Sequence, residues 1–476
     1  MICRLLSIGI GLFYGMSAMA SGRIVGNGGD LVVCPQSVEL LDHYEAKVIR
    51  GLTIQLGGSE LSVMDKVHIA LQRLYRLSPG RAEIYQQWAN SFFKESQILH
   101  NIELIDIPDS QHIVLPKGCV VRQLANQATQ LLPGQKRYTI DGDLYRLMNK
   151  DQKAGLVIHE LVYREALQLG HIDSVAARWL GSLMASDQMD SLSVKEFLDL
   201  LLFLNFPNVQ VQNVWLQLFK GSGDSKQHLS LTFHNDQVVH SGVAVEDSLF
   251  HNGVQNWFVR GPVLFFENGK VESLYLARKH FLSWKETIFE LAPQLIRFYP
   301  SGNLSLAILG NSQEVKVHEG LSLVLNGHLE FYDNGNIYRA RVQEGQFSSL
   351  YGKMKVYQQV QLYPNGQPLA LKIHPFKLPI DSHLIAIDDF VYFYESGHVR
   401  AFHIRNGELQ WRVQKRSIWL SRHALIELYE SGQLFRGELA RGIQLKTAQG
   451  DWVTLSAGQK VTFTETGEVQ RNSSAQ

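Results

Sequence analysis

The chain has 476 residues, of which 45% are hydrophobic, and its 45 Lys plus Arg balance 45 Asp plus Glu. That length allows two or three domains with ample core. The neutral balance argues against a nucleic-acid or anionic-membrane footprint.

From the start of the chain, Arg4 precedes an apolar run over residues 5–16, and Ala18-Met19-Ala20 follows as a small-x-small site. This predicts a secretory signal peptide over 1–20, cleaved after Ala20 and too short for a stable membrane span. Ser21 stands after the cut instead of a cysteine, so no lipid anchor is expected. No later apolar run approaches membrane length. The mature protein is expected to be soluble, in the periplasm or secreted. Cleavage removes Cys3, and Cys34 and Cys119 are expected to pair in an oxidising compartment; the other reading is two unrelated buried thiols. Gly26-Asn27-Gly28-Gly29 lacks the Lys-Ser/Thr end of a phosphate loop and has no strand before it, so it reads as a flexible lead-in.

Apolar residues at helical spacing predict helices over 38–50 and 61–77. Pro79-Gly80 interrupts the pattern, and a third helix follows to about residue 93. Residues 102–107 read as a strand and 120–124 as another. Asp141 or Asp143 is a suitable cap for the helical stretch that leads into 154–169.

Residues 154–169 form the next helix by periodicity, and it carries His159-Glu160-x-x-Tyr163. This resembles the zinc-metallopeptidase helix His-Glu-x-x-His, in which two histidines four apart bind zinc and the glutamate activates water. The resemblance implies His159 and Glu160 as metal-site residues, with Glu160 catalytic. Tyr163 stands in the second histidine's place, and a phenol loses its proton only near pH 10. His171 lies twelve residues on, about 120° around the helix from His159, and Glu165 also points elsewhere. The distant His43 or His68 would have to complete a site. The structural reading makes Glu160 and Arg164 an i, i+4 pair and places His159 with Tyr163 in a buried polar cluster. Leu40-Leu41-Asp42-His43-Tyr44-Glu45, together with this helix, is similar to modules of exported bacterial proteins, a resemblance that implies no activity. Neither a G-x-S-x-G elbow nor a Ser-x-x-Lys motif occurs, and bridged cysteines would leave no thiol nucleophile.

Beyond residues 173–184, Ser193-Val194-Lys195-Glu196 is a capping box. The helix over 197–203 is apolar nearly all round and is expected to be buried. Pro207 ends it, Val209, Val211, Trp215 and Leu218 suggest strand, and residues 221–225 read as a linker.

The remainder is organised by a recurring turn. Phe331-Tyr332-Asp333-Asn334-Gly335 is its clearest copy. The turn glycines are Gly269, Gly302, Gly335, Gly366, Gly397, Gly432 and Gly467, with steps by subtraction of 33, 33, 31, 31, 35 and 35 residues. A worn eighth copy ends at Asp236. A fixed period of this size marks a repeat architecture. Two apolar residues, then Pro, Asp or Glu, a small polar residue and Gly predict a type I turn closed by a left-handed glycine. The second and seventh positions after each glycine are apolar, although an odd spacing puts them on opposite faces of a flat strand. Either a bulge lies between them or both faces are buried. Pro368 marks one copy as imperfect.

Over about 229–470 the units resemble MORN-variant repeats of bacterial exported proteins, a resemblance that implies scaffolds and binding surfaces. The expected fold is α+β in two modules, an α-rich N-terminal domain followed by an all-β repeat array of stacked hairpins. A β-propeller is the alternative, but its blades need about 40–45 residues. The expected division is signal peptide 1–20, α-rich domain 21–206, linker and first strand 207–228, repeat domain 229–470 and tail 471–476. The turn carboxylates Glu267, Asp333, Glu395, Glu430 and Glu465 could form a calcium-binding row or keep strand ends soluble. The row Phe266, Tyr299, Tyr332, Tyr363, Tyr394 and Tyr429 could be a ligand platform or a second packed face. The sequence therefore supports a non-enzymatic exported protein with a protein or glycan partner in the envelope and no cofactor. The alternative is a divergent metallohydrolase using zinc, with the repeats for targeting.

Overall fold

The structure is a computed structural model that describes residues 25–105, 109, 114–130, 132, 134–219, 229–380 and 383–470. The expected leader and tail, and the 221–225 linker, lie outside these. The described residues divide into two compact units, one up to Val211 and one from Gln212 onward.

The first unit is α+β. Its helices are α1 (Leu41–Val48), α2 (Val63–Leu77), α3 (Pro79–Glu95), α4 (Gly142–Leu147), α5 (Lys150–Gln168), α6 (Val175–Met184) and α7 (Val194–Phe203). Capping sets the boundaries. Ser62 with Asp65, Asn149 with Gln152, and Ser193 with Glu196 each form a reciprocal capping box, and the Asp141 side chain caps α4. Pro79 starts α3 instead of merely ending α2, because proline suits a first helical turn. The predicted helix over 38–50 is split: Ser37–Leu40 is a strand and only Leu41–Val48 is helical. No strand occupies the described residues 102–105; the strand in this region is Ser96–Leu99. In α7, Phe197, Leu198 and Leu201 are buried but Phe203 is 69% exposed, so this helix is amphipathic instead of buried all round.

Helix α5 is central. It packs on α1, α2, α3 and α6, and residues 154–163 are all buried, as expected of a helix surrounded by others. Two sheets flank the helices. Asp30–Cys34 pairs with Ser37–Leu40 and Val120–Gln123, and Val25–Asn27 pairs with Ala125–Ala128, which continues to Tyr138–Asp141 and Ser96–Leu99. The expected bond between Cys34 and Cys119 is present.

In the second unit one continuous antiparallel meander runs from Thr232–Asn235 to Val469–Gln470, with short side hairpins such as His280–Trp284 with Thr287–Leu291. It is neither closed into a barrel nor cut into propeller blades. All seven turn glycines have φ between 81° and 100°, the region only glycine enters freely. Each reverses equivalent strands: Phe298 faces Leu304, Phe331 faces Ile337 and Phe393 faces Val399. The Gly302 N–H donates to the Tyr299 carbonyl and the Tyr299 N–H to the Asn303 carbonyl, both at 2.8 Å, the type I turn plus bulge predicted from residue order. Asp236 does not take this conformation. There Asn235 pairs directly with Val238 in a tighter turn, and the Asn235 side chain accepts from the Gln237 N–H.

Both explanations of the odd spacing apply. In Val399–Ile404, Val399 and Ala401 lie on one face, Phe402 and Ile404 on the other, and all four are buried. Opposite the changeover, the partner strand bulges between Asp388 and Val391.

The turns lie side by side because each tyrosine reaches the next repeat. The hydroxyls of Tyr299, Tyr332, Tyr363, Tyr394 and Tyr429 donate to the carbonyls of Phe331, Leu362, Phe393, Leu428 and Phe463 at 2.7–2.9 Å. This half-buried row is packed between repeats. Each bond contributes about 0.5–1.5 kcal/mol. Tyr332→Phe is therefore expected to lower the second unit's stability by about that amount in urea titrations of the full chain, and an unchanged midpoint would show that the Leu362 carbonyl loses nothing.

Candidate functional site

The chemistry-bearing motifs of the first unit meet on α5. His159 and Glu160 are adjacent in sequence and turn to different partners. The ring nitrogen Nδ1 of His159 lies 2.9 Å from Asp42 Oδ2, and both residues are buried. Glu160 Oε1 accepts from the Gly29 N–H at 2.9 Å, and Oε2 accepts from Gln127 Nε2 at 2.8 Å. The motif at 40–45 and the His-Glu helix therefore face each other through Asp42 and His159.

This corrects the reading of 26–29 as a flexible lead-in. Val25–Asn27 is a strand, and the chain after it lies hard against α5. A Cβ on Gly28 would sit 2.4 Å from the Ala125 carbonyl oxygen and 2.5 Å from Glu160 Oε1. The glycines permit a close approach instead of motion. Glu160 does not pair with Arg164, whose guanidinium lies 3.4 Å from Glu95. The His159 and Tyr163 rings are neighbours at 5.8 Å, but the His159 bond goes to Asp42.

A second ion cluster continues from Asp42. Arg178 on α6 donates to Glu45 Oε2 at 3.1 Å and to Asp109, and Glu45 also pairs with Arg50 at 3.0 Å. Arg178 was not singled out from the sequence, although a lone arginine in the apolar helix Val175–Met184 signals a buried partner. Gln127 carries no such signal.

Burial opposes charge throughout this cluster. It disfavours the His159 imidazolium, yet the Asp42 carboxylate outweighs it and raises the His159 pKa to about 9. Burial also pushes the Asp42 carboxyl up, and His159 with Arg178 outweighs it and holds it below its usual value. His43 behaves oppositely. Burial pushes its pKa down to about 4 against the attraction of Asp42, and its Nε2 lies where a Cβ on Gly155 would come within 2.4 Å.

These shifts carry opposite signs. The folded state holds the His159 proton more tightly than the unfolded chain does, so that stabilisation is complete below pH 6.5 and lost as pH rises through 9. The unfolded chain protonates His43 more readily, so stability is lost as pH falls from 6.5 through 4. Each effect is on the order of 3 kcal/mol at 1.36 kcal/mol per pKa unit. Denaturation midpoints measured against pH are expected to lose their alkaline decline in His159→Gln and their acid decline in His43→Gln. Parallel profiles in wild type and both variants would contradict this.

The described residues do not fit zinc. One element does resemble a metal site: a histidine oriented by a carboxylate, whose Nε2 has no partner among the described residues. Among the described residues the other candidate ligands do not assemble around it: the buried His43 Nε2 lies against Gly155. Glu165 accepts from Arg81 and Tyr85, His68 lies 3.1 Å from Gln86, and His171 contacts the Asn205 carbonyl. Among the described residues no three His, Cys, Asp or Glu side chains are grouped to hold a metal ion. The turn carboxylates form no such group among the described residues either; Asp333 accepts from Ser301 and Asn303, and Glu395 accepts from Asn365 at 2.6 Å. Asp333 and Glu395 link neighbouring turns.

No protein-family model matches the chain, and no curated protein matches it. No described helix is long and apolar enough to cross a membrane.

Proposed function

We propose that this is an exported envelope or secreted protein whose repeat unit is a binding surface and scaffold, related in kind to MORN-variant repeats. The observation that carries this reading is the row of equivalent turns, joined repeat to repeat by tyrosine hydroxyls. Such a row presents a regular, extended face, as repeat arrays do for binding. Export is supported by the bond between Cys34 and Cys119, since such bonds persist in oxidising compartments. The partner is a protein or glycan of the envelope.

Glu160 supports a non-enzymatic reading of the first unit. Each of its oxygens accepts a structural hydrogen bond, from Gly29 and from Gln127, and the residue is fully buried, a place that suits holding a segment better than activating water. The divergent zinc hydrolase is favoured only by the orientation of His159 by Asp42. Purified full chain is expected to co-sediment saturably with isolated envelope fractions. Failure to co-sediment, together with stoichiometric zinc and a hydrolase activity that His159→Ala abolishes, would replace this reading with the hydrolase.

A further inference from the structure

The second unit contains a small cavity of about 230 Å³ at the start of its turn row. Its apolar side is formed by Phe250 and Phe298, whose rings meet edge to face at 5.8 Å. Its polar side is formed by Gln212, Asn213, Asn252 and Lys270.

Three features suit this cavity to a ligand. Gln212 and Asn213 are the two turn residues between Asn208–Val211 and Val214–Gln217, at φ of 47° and 64° as a two-residue hairpin turn requires, and the turn fixes them at the cavity rim. Both residues are exposed, so their side-chain amides are open to a ligand. The Asn252 carbonyl oxygen is occupied by the N–H groups of Val254 and Gln255, which leaves its NH₂ as a donor. The cavity thus offers amide donors and acceptors above an aromatic base. His251 and Lys270 are the titratable residues of its lining, and no carboxylate is present.

We infer that this cavity binds a single saccharide ring. Its volume lies below the roughly 300 Å³ at which pockets for drug-sized ligands begin. Convergent amides match a ring of hydroxyls, each both donor and acceptor, and two phenylalanines suit the apolar face of a sugar. A lining without carboxylates also admits a sugar acid. A polyol with one apolar face satisfies both sides of the cavity, whereas a purely apolar ligand would strand the amides. This inference rests on the reading of the repeat unit as a binding module and names the ligand class.

The test is ligand-observed NMR and calorimetry on the full chain with glucose, galactose, N-acetylglucosamine and glucuronate. Saturable binding of at least one is expected, with a Kd on the order of 1 mM or tighter. Gln212→Gly combined with Asn213→Gly removes both amides at positions whose backbone glycine accepts without strain, so the fold is kept. Binding is expected to weaken by roughly tenfold or more. Asn213→Gly alone, with a smaller loss, replaces the double variant if that does not fold. No binding of any of the four, or equal binding by the variants, overturns the saccharide site. Where envelope co-sedimentation persists in that case, the binding-module reading stands and only the cavity assignment fails.

Discussion

Gly28→Ala is expected to destabilise the first unit by about 3 kcal/mol or more, at the upper end of overpacking effects. The new methyl would meet the Ala125 carbonyl oxygen at 2.4 Å and Glu160 Oε1 at 2.5 Å. The backbone atom cannot rotate away, and Glu160 can move only by releasing the Gly29 N–H and stranding a buried carboxylate. For a unit of this size the melting temperature is expected to fall by roughly 6–12 °C. Gly51→Ala provides the contrast, because a Cβ at Gly51 meets nothing within 4 Å and only its φ of 65° is strained. Scanning calorimetry of the two variants checks this, and equal melting temperatures would mean that the 26–29 segment is not pinned.

Removal of the disulfide is expected to have an effect at least as large. Cys34 and Cys119 are 85 residues apart in sequence. In the chain-entropy model, opening a loop of that length costs about 4–5 kcal/mol. Cys34→Ser combined with Cys119→Ser should lower the first unit's melting temperature by roughly 9–18 °C, and reductant should reproduce the loss in the wild type. The second unit's transition should not move, because no cysteine lies beyond residue 119. An unchanged first transition would mean that the pairing of Asp30–Cys34 with Val120–Gln123 is sufficient without the bond.

What was legible in the sequence was what the backbone demands locally. A left-handed glycine every 31 to 35 residues shows in residue order, and the seven turns formed at those glycines. The tyrosine bonds between repeats were not legible, because the acceptor is a main-chain carbonyl that every residue carries. Helix α5 was visible from periodicity and His159 from its motif. The partner Asp42 lies 117 residues away, and nothing in the spacing selects it over the other candidates. The glycines at 28 and 29 misled for a physical reason: a missing side chain serves equally for freedom and for close approach, and only the neighbouring surface decides which. Arg164 illustrates the same limit. It sits four residues after Glu160, but Glu95 from α3 is its partner, because tertiary contact overrides a helical pairing of a few tenths of a kcal/mol.

Glu160 holds the segment around Gly29 in place by accepting its N–H. Amide hydrogen exchange at Gly29, compared between wild type and Glu160→Ala, tests it most directly. Strong protection in the wild type, lost in the variant together with protection along Asp30–Cys34, is the expected result. Unchanged protection at Gly29 in Glu160→Ala, accompanied by loss of a hydrolytic activity, would contradict it.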